Sequence, residues 1–204
     1  MSRDDTLLIL ASSSPRRQEL IRTFGLPTEV VPGEADESVE EGWTPAQIVE
    51  QLSLRKAAEV HKRLPPDKRG LIVGSDTIVV KDGRVFGKPE HAAAAVEMLR
   101  SLQGSAHEVF SGLAVIATGE GEEGKPEMNV GHTVSKVVFG PMSDEEIRAY
   151  VETGEPLDKA GAYGVQGLGS VFVEKIEGDF YSVMGLPLNL LYRMMQGFGL
   201  RPFG

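Results

Sequence analysis

Apolar and polar positions alternate along this chain in blocks that read as strands and helices in turn. Leu7 to Ala11 is a short continuous apolar run, the pattern of a strand buried on both faces. A polar stretch, Ser12-Ser13-Ser14-Pro15-Arg16-Arg17, follows at once. Ser14 as N-cap, Pro15 at the first helical position and Gly25 just past the end predict a helix over Pro15 to Phe24. Thr28 to Val31 reads as a second extended piece. Thr44-Pro45 opens another helix by the same capping logic, one-sided through His61 on Ile48, Leu52, Ala57 and Val60, before Pro65-Pro66 forces a break. Trp43, ahead of that cap, reads as a hydrophobic staple or core residue.

Leu71 to Val73 predicts a buried strand ending on Gly74-Ser75-Asp76-Thr77. The Asp82-Gly83 pair between Ile78 to Val80 and Arg84 to Phe86 predicts a hairpin. Pro89 to Leu102 is the clearest helix, rich in alanine and stopped by Gly104. Longer strands are expected around Val109 to Ala117 and Val130 to Phe139, joined by a polar glycine-rich loop from Thr118 to Pro126 expected to be an exposed, mobile tip. Ser143 and Glu146 form a capping box for a helix to Thr153, Val171 to Ile176 reads as a strand, and Leu186-Pro187 starts the last helix. No repeat is visible, so the pattern predicts one mixed α/β domain over residues 1–204, with helices covering a curved sheet.

Composition narrows what such a domain does. With 204 residues and 41% hydrophobic content the chain is long enough for a substantial core. The absence of cysteine excludes disulfides and thiol ligands and fits a cytoplasmic protein. No apolar run has the length to cross a bilayer, and the MSRDDT start lacks the basic and apolar regions of a secretory signal, so no membrane partner is expected. A formal net charge of −9 argues against nucleic-acid binding, because nonspecific affinity for phosphate backbones needs a surplus of Lys and Arg. An anionic ligand would need a few local cations, helped by a divalent metal, to overcome that average field.

Several junctions supply such cations. At the end of the first strand, serine hydroxyls, the exposed N–H groups of a helix start, Arg16 and Arg17 coincide. Arginines in a first turn oppose the helix dipole, which makes sense if something negative binds there; a solvent-facing Ser/Pro turn is the competing explanation. Asp76 follows a buried strand and suits a metal ligand or general base, against an ordinary Asx turn. Lys88, in Phe86-Gly87-Lys88-Pro89, stands where its ammonium reaches phosphate oxygens, or is a surface lysine. Lys56, on a helix, and the acidic pair Asp36-Glu37, a source of a second metal carboxylate, are weaker signals alone. Glu155 to Gly169 mixes small residues with Asp158, Lys159, Tyr163 and Gln166 without a period. Backbone packed closely against something would explain it, with the Gln166 amide reading a base edge, as would a tight structural loop. His61, His91, His107 and His132 have no metal-ligand spacing.

Together these segments resemble the Maf family of nucleoside triphosphate pyrophosphatases. The resemblance runs nearly end to end, through LILASSSPRRQEL, Asp36-Glu37, RKA around Lys56, GSDTIVVKDG, GKP, MLRSLQGSAHEV, EPLDKAGAYGVQGLG and GDFYSVMGLPL. The DKAGAYGVQG pattern with SPRR and Asp76-Thr77 looks like the branch that hydrolyses dTTP and UTP; other branches act on 7-methyl-GTP or related nucleotides. The resemblance implies an elongated mixed curved β-sheet flanked by helices, two lobes with a cleft, a nucleoside triphosphate substrate, a Mg²⁺ or Mn²⁺ cofactor and often a homodimer. It also brings the family's older association with septum formation, including the rival role of a non-catalytic division regulator. Asp76 matches the catalytic acid described as a proton acceptor; Arg16, Thr77 and Gln166 match positions governing base preference. Ser12, Glu37, Lys56 and Lys88 match residues that hold phosphates or metal, and Arg17 belongs to the same phosphate cradle. The usual Gly-Ala-Asp-Thr reads here as Gly-Ser-Asp-Thr, a change at Ser75 expected to touch the hydrogen bonding of Asp76.

Overall fold

Leu8, Ile9 and Leu10 are fully buried, as a strand covered on both faces requires. They form β1 (Leu8–Leu10) in a computed structural model that describes residues 6–119 and 126–202. Most of the glycine-rich tip predicted from Thr118 to Pro126 lies outside the described residues. Helix α1 (Pro15–Arg22) follows and returns the chain to β2 (Thr28–Val30), parallel to β1. Helix α2 (Pro45–Arg63) then carries it to β3 (Leu71–Lys81), which pairs with β1 in parallel, Leu8 opposite Leu71 and Leu10 opposite Val73. Parallel neighbours need such crossovers, and helices supply them. The Thr44 hydroxyl accepts from Gln47 N at 3.3 Å while Gln47 Oε1 accepts from Thr44 N at 2.9 Å, the reciprocal cap that starts α2.

The strand predicted to end before Gly74 does not end there: β3 is continuous for 11 residues, so Asp76 lies inside a strand rather than at its mouth. Gly74 looked like a terminator but serves close packing, since a Cβ there would lie 2.3 Å from Ser53 O and 2.9 Å from Ala57 N of α2. Strand β4 (Arg84–Phe86) returns antiparallel through Asp82 and Gly83, both at positive φ (51° and 75°), as a tight hairpin turn requires.

Helix α3 (Ala92–Leu102) starts later than predicted, with His91 Nδ1 accepting from Ala94 N at 3.1 Å as the cap. Next come β5 (Ala106–Ala117), β6 (Met128–Phe139) and α4 (Asp144–Glu152), the last with the predicted Ser143/Glu146 capping box. Three short 3₁₀ turns, Glu155–Asp158, Ala160–Ala162 and Gly167–Phe172, precede β7 (Val173–Glu177), antiparallel to β6. Helix α5 (Phe180–Met184), which the sequence pattern does not reveal, leads to α6 (Leu188–Gly197).

The seven strands form one mixed sheet in the order β2-β1-β3-β5-β6-β7, with β4 attached to β3. The chain divides into two compact units, each assembled from separated segments. The first comprises residues 1–76, 111–133 and 185–204, and its core includes Ile9, Ala57, Val60, Ile72, Ala114 and Ile116. The second comprises residues 77–110 and 134–184, with Phe86, Leu99, Val137, Phe139, Ile147 and Tyr163 in its core. Among the described residues no helix is long and apolar enough to cross a membrane.

Candidate active site

In the first unit α2 lies directly against the sheet at two glycines. Besides Gly74 on β3, Gly112 on β5 has room for no Cβ, which would sit 2.1 Å from Val49 O. This approach lays Lys56 beside Asp76. The Lys56 ammonium lies 2.5 Å from Asp76 Oδ1 and 2.8 Å from Glu37 Oε1. Lys56 and Asp76 side chains are only 15% and 13% exposed, so this pair is screened far less than a surface ion pair; Glu37, 63% exposed, is the open side of the cluster. In β3, Asp76 and Thr77 are the two positions that break an otherwise buried run from Leu71 to Val80. Neighbouring Arg55 donates to the Ser38 carbonyl at 2.6 Å and faces Asp36 and Glu40, tying the acidic loop of Glu37 to α2.

The end of β1 contributes a second group of donors. Ser12 is buried, and its Oγ accepts from Ser14 N at 3.2 Å and from Arg17 Nη1 at 3.5 Å. Ser14 occupies the N-cap position but its side chain makes no capping bond; the hydroxyl of Ser12 takes the Ser14 N–H instead. Arg17 Nε donates to Gly185 O at 2.7 Å. Burial lowers the Arg17 guanidinium's pKa from its ordinary value, the charges of Asp76 and Glu37 oppose that shift and the neighbouring Arg16 adds to it. Arg16 is half-buried in the same first turn, which itself carries no acidic residue.

Ser75, fully buried, donates to Gly112 O at 2.8 Å and to Gly185 O at 3.0 Å, so its hydroxyl is engaged by these two carbonyls rather than by Asp76. Strand alternation explains this by turning adjacent side chains to opposite faces. Gly185, at φ 116°, thus receives both Ser75 and Arg17 on one carbonyl, a positioning role hidden from sequence reasoning because the chemistry is in the backbone.

The remaining predicted residues belong to the second unit. Thr77 is half-buried on β3; Lys88 is exposed in the loop after β4; Gln166 is half-buried ahead of the third 3₁₀ turn. The Lys88 loop and the Gln166 segment are linked through Gly161 N, which donates to Gly87 O at 3.1 Å. The structure therefore brings Ser12, Arg17, Glu37, Lys56 and Asp76 into one cluster in the first unit, and carries Lys88 and Gln166 on connected segments of the second.

The donor chemistry of Asp76 and Glu37 suits a hard divalent cation. Both carboxylates lie within 2.8 Å of one ammonium and so converge, and Mg²⁺ commonly takes one or two carboxylates with the rest of its shell from phosphate oxygens and water. No group of three or more His, Cys, Asp or Glu among the described residues forms a metal cage.

A mixed α/β protein that sets the carboxylate of a buried strand against a helix ammonium, with a helix-start arginine close enough to feel that carboxylate's charge, is suited to a phosphate-bearing anion. The family model described as Maf-like protein matches residues 7–198, and the chain belongs to that family. It is 48% identical over 192 residues to a dTTP/UTP pyrophosphatase of Symbiobacterium thermophilum, covering 94% of each chain. It is 46% identical to proteins of the same description from Desulforamulus reducens, over 95% of this chain and 97% of that one, and from Moorella thermoacetica, over 97% of both.

Proposed function

We propose that this protein is a nucleoside triphosphate pyrophosphatase that hydrolyses dTTP and UTP to the monophosphate and diphosphate. The observation that carries the reading is the Asp76–Lys56–Glu37 cluster beside the Ser12–Arg17 turn, in a chain nearly half identical to proteins of that description. In this reading the oxygen of a water molecule forms a bond to the α-phosphorus as the bond to the bridging oxygen of the β-phosphate breaks. The diphosphate leaves with the electron pair of that bond, and Asp76 accepts the proton of the water. Lys56 holds Asp76 Oδ1 and leaves Oδ2 to face the water. Ser12, Arg16 and Arg17 neutralise phosphate charge as it shifts toward the leaving group, and family resemblance assigns Lys88 a phosphate-holding role. Asp76 and Glu37 would hold Mg²⁺ or Mn²⁺, which when bound polarises phosphoryl oxygens.

The half-buried Gln166 amide makes no capping hydrogen bond to the 3₁₀ turn that follows it. It suits the O4 acceptor and N3–H donor of uracil or thymine, whereas cytosine presents the reversed pattern and would leave polar groups unpaired. Family resemblance assigns Thr77 and Arg16 a share in base preference as well. The same reading carries homodimer formation, work in the cytoplasm and an influence on septum formation through nucleotide pools, each supported by family resemblance alone.

A substrate panel of dTTP, UTP, CTP, 7-methyl-GTP and ITP, assayed for diphosphate release with Mg²⁺ or Mn²⁺, tests the assignment. Turnover concentrated on dTTP and UTP is the expected result. Strong 7-methyl-GTP turnover with negligible dTTP turnover would overturn the base assignment while leaving the reaction type.

A further inference from the structure

Glu155 is a partly buried carboxylate whose oxygens, among the described residues, are filled by neutral donors: two backbone N–H groups of the segment around Gln166 and the Tyr150 hydroxyl. Oε2 accepts from Leu168 N at 2.8 Å; Oε1 accepts from Gly169 N at 3.0 Å and from Tyr150 Oη–H at 2.9 Å. The Tyr150 oxygen in turn accepts from Gly164 N at 3.2 Å. The carboxylate and the phenol therefore grip the backbone on both sides of Gln166, at residues 164, 168 and 169.

The glycines show how closely that grip is fitted. A Cβ at Gly167, where φ is 74°, would lie 2.6 Å from Glu155 Oε2, and one at Gly169 would lie 2.3 Å from the Tyr150 hydroxyl. Glycine at these positions is what allows the backbone to reach the carboxylate. Burial by itself would raise the Glu155 pKa, yet the Gly169, Leu168 and Tyr150 donors and the charge of Lys159 hold it below its ordinary value, as expected of an ionised hydrogen-bond acceptor. Lys159 completes the arrangement by donating to the Glu155 carbonyl.

We infer that Glu155, with Tyr150, is a positioning residue for base selection: its carboxylate pins the 164–169 backbone so that the Gln166 amide is presented in one orientation. The inference rests on the reading of Gln166 as the base-reading residue. A polar group discriminates strongly only when it cannot turn to satisfy the wrong partner, so a loosened Gln166 would accept cytosine more readily. Glu155→Gln tests this because it keeps size and shape but replaces one acceptor oxygen with an NH₂ that faces a backbone N–H.

The experiment measures kcat/KM for UTP and CTP in the wild type, Glu155→Gln, Gln166→Ala and the double variant, with amide hydrogen exchange at Leu168 and Gly169 and thermal melting for each. The expected result is faster exchange at both amides and a UTP-to-CTP ratio reduced about tenfold in Glu155→Gln. In the Gln166→Ala background the same change should leave the ratio where it is. A purely structural role would lower melting and both kcat/KM values together, with the ratio intact, and would overturn the inference. If Gln166→Ala lowers the ratio and Glu155→Gln does not, the pin is wrong and the base reading stands. If Gln166→Ala leaves the ratio untouched, the base reading falls and the role given to Glu155 falls with it. Should Glu155→Gln fail to fold, Tyr150→Phe removes one donor to the carboxylate and should shift the ratio in the same direction; an unchanged ratio there counts against the inference.

Discussion

His107 on β5 is 3% exposed, its Nε2 lies 2.8 Å from the Tyr163 hydroxyl, and its Nδ1 is buried without a hydrogen-bond partner among the described residues. Phe139 and Tyr163 meet the ring edge-on at 5.0 and 5.3 Å. Burial, with the like charge of Lys81 adding to it, pushes the imidazole pKa down to about 4 from its ordinary 6.5. The unfolded chain therefore takes a proton below about pH 6.5 that the native protein refuses until about pH 4. The stability that depends on neutral His107 is complete above that window and is lost as pH falls through it, by roughly 3 kcal/mol in total. Urea denaturation at pH 7, 5.5 and 4 should show the decline, and His107→Gln should flatten it between those pH values; an equal slope in both proteins would refute the assignment. The histidine's spacing in the sequence shows no metal-ligand pattern and says nothing of its burial. Its burial is a property of the packing around Phe139 and Tyr163, far away in the chain.

The glycines of β3 and β5 set the distance from α2 to the sheet, and with it the Lys56–Asp76 contact. Gly74→Ala places a methyl group 2.3 Å from Ser53 O and 2.9 Å from Ala57 N, backbone atoms that move only if the helix moves. A cost of about 3 kcal/mol, at the upper end for overpacking, is expected in urea denaturation, with a loss of activity as Lys56 is displaced. Gly87→Ala, where no atom lies within 4 Å of the added Cβ, should leave stability nearly unchanged. Equal stability loss in the two variants would contradict this account of α2. Legibility follows the same physics. Caps such as Thr44 with Gln47 and Ser143 with Glu146, and the Asp82-Gly83 turn, act over three or four residues and so can be read from sequence. The continuity of β3 through Gly74 could not, because that glycine answers to Ser53 and Ala57 of α2 rather than to its neighbours. The five residues of α5 are too few to display a period.

At the scale of the whole molecule, both compact units are discontinuous in sequence, with β3, β5 and β6 contributing residues to each, and no composition shift or linker marks the divisions. The polar residues were easier to find than the partition, since Ser12, Arg17 and Asp76 stand out beside the apolar strands, whereas Lys56 is one of several charged residues on its helix. Their partners were not: the Gly185 carbonyl and the Glu155 grip are made by backbone atoms and distant segments. In the proposed mechanism a local concentration of cations around one carboxylate does hydrolytic work in an acidic protein. The most direct measurement is diphosphate release from dTTP and UTP by the wild type and Asp76→Asn, with Mg²⁺ or Mn²⁺, circular dichroism confirming that both are folded. The account predicts cleavage to the monophosphate by the wild type and a loss of at least ~100-fold in the variant. Absence of diphosphate release by the wild type in either metal, or undiminished activity in Asp76→Asn, would contradict it.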